Sequence, residues 1–449
     1  MSTYFGGNIP WVKSGELGDG HVFDTEETLS ELGLKSSNAK LFPKGTLCIA
    51  LYGATVGKLG ILEVDAATNQ AVCGLFLPDE VHRDFVFYYL ASIRRHLIEQ
   101  GKGGAQSNIS NGLVRQTRIP IAPLNEQVRI VAKIEELFSD LDAGVAALKR
   151  AKANLKRYRA SVLKAAVEGE LTEQLGNYHF KKSNWIEIGT LLTCVEQGWS
   201  PKCERESSSS DDEWAVMKTS AVLPMQFLAH ENKRLPMNLT PEIQFEVKVG
   251  DLLITRAGPR NRAAVTCLVR SSRPRLIVCD KVYRIRCDHS QVIPSYLEIA
   301  LNSPPILDEL DDMKTGISDS GVNLTQQKFR KIMIPIPPLP SQRQIVDEVE
   351  ERLSVVTLAE KQIEHGLLRA ARLRQSILKR AFEGKLVPQD PKDEPASTLL
   401  ERLRASRTHD EANGTAATSK QTRAKIKESS GEPRTRIRRR ASTRNQQEE

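Results

Sequence analysis

The sequence predicts an α/β protein made of two pseudo-repeated domains of short strands plus helix, two long helices, and a basic C-terminal tail with no folding pattern. Three observations predict it. The 449-residue chain repeats itself, two proline-free stretches carry heptad spacing, and apolar periodicity stops after Val387.

The duplication is read directly. Ile119-Pro120-Ile121-Ala122-Pro123-Leu124-Asn125-Glu126-Gln127 returns 215 positions later as Ile334-Pro335-Ile336-Pro337-Pro338-Leu339-Pro340-Ser341-Gln342. At the same offset Arg157, Arg159, Ser161, Leu163, Glu168-Gly169 and Leu171 meet Arg372, Arg374, Ser376, Leu378, Glu383-Gly384 and Leu386. Ten of twenty positions agree in each of the windows 119–138 and 155–174. The segments ahead of these agree more weakly, at an offset of 205: Trp11-Val12-Lys13-Ser14 with Val216-Met217-Lys218-Thr219, and Gly45 to Ile49 with Gly250 to Ile254. Each unit is therefore a variable domain followed by a well-matched segment.

The matched segments read as helices. Ile130, Ile134, Leu137, Leu141, Leu148, Leu155 and Val162 follow steps of three and four, with Gly144, Ala151 and Tyr158 at the remaining seam positions. The second copy offers Ile345, Val349, Val356, Ala359, Ile363, Ala370, Leu373 and Ile377, interrupted by Arg352 and Arg380. Two such stripes most simply pack on each other, as rods of roughly 63 Å at 1.5 Å per residue. Each follows a proline-bearing extended run and stops at Glu-Gly, where glycine can take the left-handed cap conformation. They serve either as a stalk that merely joins domains or as a spacer that sets the distance between two recognition domains.

In the variable segments, Leu47 to Tyr52, Leu59 to Val64 and Ala71 to Leu77 read as strands. A helix over Asp84 to Glu99 carries Phe85, Tyr88, Tyr89, Ile93 and Leu97 to one side. The second copy parallels this with strands at 252–255, 264–269 and 276–285 and a helix near 294–302. Loops at matching places carry candidate contacts: Tyr52 and Lys58, then Lys102, Gln106 and Asn108, in the first copy; Arg256, Arg260 and Arg262, then Lys314 and Asn323, in the second. Glycines there let backbone approach phosphate, Lys and Arg neutralise it, and Arg, Asn and Gln have the forked geometry that base edges require.

Catalytic motifs fail. Gly53 to Lys58 has three residues between its glycines and Leu59 where a phosphate loop needs Ser or Thr. Asn302-Ser303-Pro304-Pro305-Ile306 misses the Asn-Pro-Pro-aromatic pattern of amino-methyltransferases, and Glu383-Gly384-Lys385 has Glu168-Gly169-Glu170 as its counterpart. The eight histidines form no metal-spaced pair, and seven cysteines without close spacing read as reduced structural thiols. No apolar run approaches the roughly 18 residues of a membrane span, so a cytoplasmic protein without membrane contact is expected.

The Ile-Pro-hydrophobic-x-Pro-Leu-x-x-Gln runs at 119–127 and 334–342, the Glu-Gly-x-Leu exits at 168–171 and 383–386, and Gly250-Asp251-Leu252-Leu253-Ile254-Thr255-Arg256 resemble the specificity subunit of type I restriction-modification systems. The resemblance spans about residues 6 to 390. It implies two pseudo-repeated α/β target-recognition domains joined by two long antiparallel coiled-coil helices, with a disordered basic tail. The domains would lie at 1–124 and 172–339, the helices at 125–171 and 340–388, and the tail at 389–449. It further implies a non-catalytic subunit that reads one half of a bipartite site on double-stranded DNA with each domain. Two modification (methyltransferase) subunits would dock on the helices, for which Gln127, Arg157, Arg159, Gln342, Arg372 and Arg374 are the candidate contacts, and restriction (translocase and nuclease) subunits would join them. No cofactor would bind this chain; S-adenosylmethionine, ATP and Mg2+ would belong to the partners. A coiled-coil scaffold without DNA reading is the rival, and it needs no basic, glycine-rich loops at matching positions.

One departure stands out. Trp185 to Gly189 and Glu196-Gln197-Gly198 open the second domain as strand and turn, with no counterpart in the first, so the chain as given is expected to start late. Beyond Val387 a short helix at 397–406 is expected, then disorder from Thr408, and Ser207 to Asp212 reads as a mobile loop. The formal charge is +8, from 64 Lys+Arg and 56 Asp+Glu. From Lys420 onward ten basic residues face four acidic ones, so only +2 remains for residues 1–419. Bulk charge is thus weak support for an anionic partner; architecture and loops carry that inference.

Overall fold

The computed structural model describes residues 3–101, 108–171, 185–316 and 321–406. Two compact units emerge, one built from residues up to 143 together with those from 369 on, the other from 144–368.

In the first unit, one sheet runs in the order β3 (Glu27–Leu29), β1 (Phe5–Val12), β7 (Ala66–Thr68), β4 (Leu41–Phe42), with β1 antiparallel to β3 and parallel to β7. A second runs β2 (Gly20–Val22), β6 (Leu59–Leu62), β5 (Leu47–Ala50), β8 (Val72–Leu75). Every residue of β5 and β6 is buried, as unbroken apolar runs between two covered faces must be. Against them packs α2 (Arg83–Gln100) through Val86, Phe87, Leu90 and Leu97, while Phe85 packs with Ile130, Ile134 and Leu378. The helix is thus covered on two sides: of the expected face, Phe85 and Leu97 are buried, and Tyr88, Tyr89 and Ile93 are half-buried.

The second unit repeats the plan. Its sheet β10 (Leu192–Gln197), β19 (Val282–Cys287), β15 (Leu252–Thr255), β17 (Thr266–Leu268) is antiparallel throughout. Here β19, β15 and β17 correspond to β8, β5 and β6. Its companion sheet is β14 (Asn232–Arg234), β11 (Ala215–Met217), β18 (Leu276–Ile277). The parallel pair Val216↔Ile277 matches Trp11↔Ala67. Helix α6 (Pro294–Leu301) takes the place of α2, with Tyr296 fully buried. The stretch 207–212 is not loose as expected. Arg273 donates to the carbonyls of Ser208 (2.9 Å), Ser210 and Glu213, and Ser208 is buried with its amide on Asn232 Oδ1.

The long helices are α4 (Leu124–Glu168, 45 residues) and α9 (Leu339–Phe382, 44 residues), followed by Gly169 and Gly384 at φ +88° and +68°. They pack antiparallel. In the second unit Leu148 lies against Gly366, Lys152 pairs with Glu364 (3.0 Å), and Val162, Leu163 and Ala166 share a core with Ile345, Val349 and Leu353. In the first, Ile130 and Ile134 meet Leu378 and Ala381. The strict heptad reading errs at three seam positions: Gly144 is exposed, and Tyr158 and Leu373 are 45% and 43% exposed. At 158 and 373 the seam drifts onto the next residues, Arg159 and Arg374.

The expected tail from 389 begins with ordered structure. A helix covers 396–406, Leu399 is buried, and Asp393 accepts two hydrogen bonds from Arg129. Residues 407–449, with most of the basic cluster, lie outside the described residues, as do Lys102 and Gln106.

Candidate DNA interface

Each domain brings its two candidate loops together by the same device. In the first, Tyr52 bridges Asn108, and the Ile109 amide donates to Leu51 O at 2.7 Å. In the second, β16 (Ala257–Gly258) pairs with β20 (Val322–Asn323) through Ala257↔Asn323, and the Leu324 amide donates to Arg256 O at 2.7 Å. Loops far apart in sequence thus converge on one edge of each domain, the kind of place where a rigid scaffold presents binding residues.

The glycines of the first loop make a hairpin between β5 and β6, with Gly53 and Gly57 at φ +89° and +76°. The Gly57 amide returns to Ala50 O at 2.8 Å. Arg94, unnoticed in the sequence, clamps this hairpin from α2: its Nε donates to Gly57 O (2.8 Å) and its Nη1 to Asp19 Oδ2 (3.0 Å). Lys58 is half-buried and Asn108 exposed at the rim.

In the second domain, Arg256 is half-buried, donates to Asp280 O (3.3 Å) and lies over the Tyr283 ring at 5.5 Å. Arg260 pairs with Asp311 (2.8 Å), and Arg262 donates to Thr219 O (3.2 Å). Lys314 departs from expectation. Its side chain is 7% exposed, and the ammonium donates to Asp311 Oδ1 (2.7 Å) and Arg260 O (3.0 Å). These contacts, Lys314 first and then Arg260, hold the Asp311 carboxyl below the usual range. Lys314 therefore fixes the Arg260 loop and is not a surface contact. Asn323 is half-buried, its Oδ1 enclosed without a hydrogen-bond partner. It too sits inside the loop pair.

The helical candidates divide similarly. Gln127 and Gln342 are wholly buried, so neither can be the surface contact expected of it. Gln127 Oε1 accepts from the His82 amide (2.8 Å) and Nε2 donates to Ala122 O (2.8 Å). Gln342 Oε1 accepts from the Ile293 amide (2.8 Å) and Nε2 donates to Pro337 O and Gln291 O (2.9 Å each). Both tie the start of a long helix to the residue capping the domain helix. Arg159 pairs with Glu360 (3.1 Å). Arg374, its repeat partner, pairs with Asp142 and lies over the Phe138 ring at 4.4 Å. Both clasp the opposite helix. Arg157 and Arg372 are exposed.

No group of three or more His, Cys, Asp or Glu side chains among the described residues could hold a metal, and all seven cysteines are free. Among the described residues no helix is long and apolar enough to cross a membrane.

Two α/β domains that each present a paired-loop edge define a duplicated architecture. A family model for the type I restriction modification DNA specificity domain matches residues 2–153. The EcoKI specificity subunit of Escherichia coli K12 is 27% identical over 421 residues, covering 89% of each chain. The StySPI specificity subunit of Salmonella potsdam is 25% identical over 417 residues, with 89% coverage of each. The EcoEI specificity subunit of Escherichia coli is 36% identical over 171 residues, 38% of this chain and 29% of that one. A chain from a solved type I restriction-modification system superposes with a TM-score of 0.64 at 17% identity, covering 85% of this chain and 92% of its own. Over most of its length the chain is thus similar to specificity subunits of type I restriction-modification systems.

Proposed function

We propose that this chain is the DNA-reading, non-catalytic subunit of a type I restriction-modification complex, each domain addressing one half of a bipartite site. The observation that carries the reading is the twice-built loop pair, Tyr52↔Asn108 and Ala257↔Asn323. A scaffold would have no need to build it twice. With Lys314 and Asn323 engaged internally, the second domain's groups facing DNA are the basic loop residues Arg256, Arg260 and Arg262, and in the first domain Lys58 and Asn108. The long helices carry two modification subunits, with exposed Arg157 and Arg372 as repeat-related contacts, and restriction subunits join that core. S-adenosylmethionine, ATP and Mg2+ serve those partners.

The test is methylome sequencing of cells with the neighbouring modification genes, with and without this chain. A bipartite methylated motif present only with the chain is expected; an unchanged methylome in an otherwise active system refutes the reading. Replacing Arg256, Arg260 and Arg262 by Ala weakens recognition of one half-site only.

A further inference from the structure

In both domains the hairpin that enters the loop pair is tied down at two equivalent places, by residues that differ between the copies. The first tie runs to a short 3-10 turn after β1 or β11, Ser14–Glu16 in one copy and Thr219–Ala221 in the other. Thr55 Oγ1 donates to Ser14 O at 2.7 Å, and Arg262 Nη2 donates to Thr219 O at 3.2 Å. The second tie runs to a helix. In the first domain Arg94 of α2 donates from Nε to Gly57 O (2.8 Å); in the second Lys314, directly after α7 (Pro304–Met313), donates from Nζ to Arg260 O (3.0 Å). Each cation also meets a carboxylate: Arg94 pairs with Asp19 through both of its Nη atoms, and Lys314 pairs with Asp311 (2.7 Å).

The source of the acid is where the copies diverge. Asp19 stands at φ +65°, and its amide donates to the carbonyl of Leu59, the first residue of β6, at 2.9 Å. Met225 stands at φ +59°, and its amide donates to the carbonyl of Thr266, the first residue of β17, at 3.0 Å. The same left-handed corner thus holds a carboxylate in one copy and a thioether in the other, where α7 supplies the acid instead. Asp19 Oδ1 also accepts from the Leu59 amide at 3.0 Å, so this one carboxylate joins the corner, β6 and α2. Arg94 fits the hairpin closely: a Cβ on Gly57 would lie 2.9 Å from its Cγ. Different residues arrive at the same helix-to-hairpin contact, so the contact is what each domain requires. Gly53 and Gly57 leave the first hairpin pliant, and ordering it before DNA arrives removes that entropy from the binding step.

We infer that Arg94 and Asp19 are positioning residues for the half-site read by the first domain, setting the angle at which the 53–58 hairpin meets DNA. The inference rests on the DNA-reading function proposed above. Arg94 engages Nε, Nη1 and Nη2 inside the domain, so it acts through the hairpin and not as a phosphate contact.

The test uses the full chain with its modification subunits and duplexes carrying the bipartite motif found by methylome sequencing, with either half-site replaced. The half-site whose recognition is weakened by alanine at 256, 260 and 262 marks the second domain. The Arg94→Met complex is expected to lose about tenfold in discrimination at the other half-site, the worth of roughly one misread base pair, with the marked half-site and the salt slope unchanged. In the free chain, hydrogen exchange should rise over 53–58 and stay at the parent's level over 47–50 and 72–75. Arg94→Lys should restore most of the discrimination, since Lys314 makes this contact from a lysine. Asp19→Asn keeps an acceptor for the Leu59 amide without a charge for Arg94, and should fall between the parent and Arg94→Met. A salt slope lower by about 0.9 with discrimination retained makes Arg94 a phosphate contact and overturns the inference. An equal loss on every duplex, or faster exchange through 47–50 and 72–75, makes it a residue of stability alone and overturns it too. Either failure leaves DNA reading standing, whereas a parent complex that binds all duplexes alike refutes DNA reading and this inference with it.

Discussion

Gln342 offers the sharpest separation between a structural and a surface role. In Gln342→Ala the Ile293 amide loses its acceptor and the carbonyls of Pro337 and Gln291 lose a donor, all three bonds being 2.8–2.9 Å. Pro337 is buried and Ile293 half-buried, so water replaces these partners only in part. An orphaned buried donor costs about 1–3 kcal/mol, and with the acceptors and the void the total is about 3 kcal/mol. In thermal terms that is a loss of about 6–12 °C for a unit of this size. Three of the four tryptophans, Trp185, Trp199 and Trp214, belong to the same unit, so urea unfolding followed by tryptophan fluorescence reads it directly. Gln342→Glu is nearly isosteric but sets a carboxylate against two carbonyl oxygens, so it should be more destabilised at pH 8 than at pH 5. A Gln342→Ala protein that unfolds within about 0.5 kcal/mol of the parent yet no longer holds modification subunits would refute the reasoning and restore a surface role.

Lys314→Met should lower DNA affinity through disorder of the Arg260 loop, visible as faster hydrogen exchange over 256–262, whereas a direct phosphate contact would flatten the salt dependence of binding with exchange unchanged. Arg374→Ala removes a largely exposed ion pair and a ring contact, so a loss of about 1 kcal/mol is expected in chemical unfolding, with Arg374→Lys intermediate. Glu298 is fully buried, accepts from the Leu268 amide (2.6 Å) and pairs with Arg270 (2.8 Å); burial raises its carboxyl pKa, with Arg270 opposing. A raised folded pKa gives stability that is present below the ordinary Glu range and lost as pH rises through the folded value. Melting curves should show that loss in the parent, and Glu298→Gln should flatten it. Burial pushes the Cys48 thiol up to about 12 and Cys279 and Cys287 to about 11, so these three should resist alkylation at pH 8 until the chain unfolds.

The sequence by itself determined the duplication, the two long helices and their glycine stops, and the places of the loops. Those features are local or periodic: Glu168-Gly169 and Glu383-Gly384 end helices wherever the rest of the chain lies, and a repeat announces itself by identity. The tertiary structure decided which repeated residues face outward. Gln127 and Gln342 look like a surface signature in the sequence, but their partners lie 45 and 49 residues away, and only folding shows the amides spent on His82 and Ile293. Lys314 reads as a free cation until Asp311 and the Arg260 carbonyl surround it. The heptad pattern placed Tyr158 and Leu373 on the seam, but the rotation of each helix against its partner, set by packing along its whole length, brought Arg159 and Arg374 there instead.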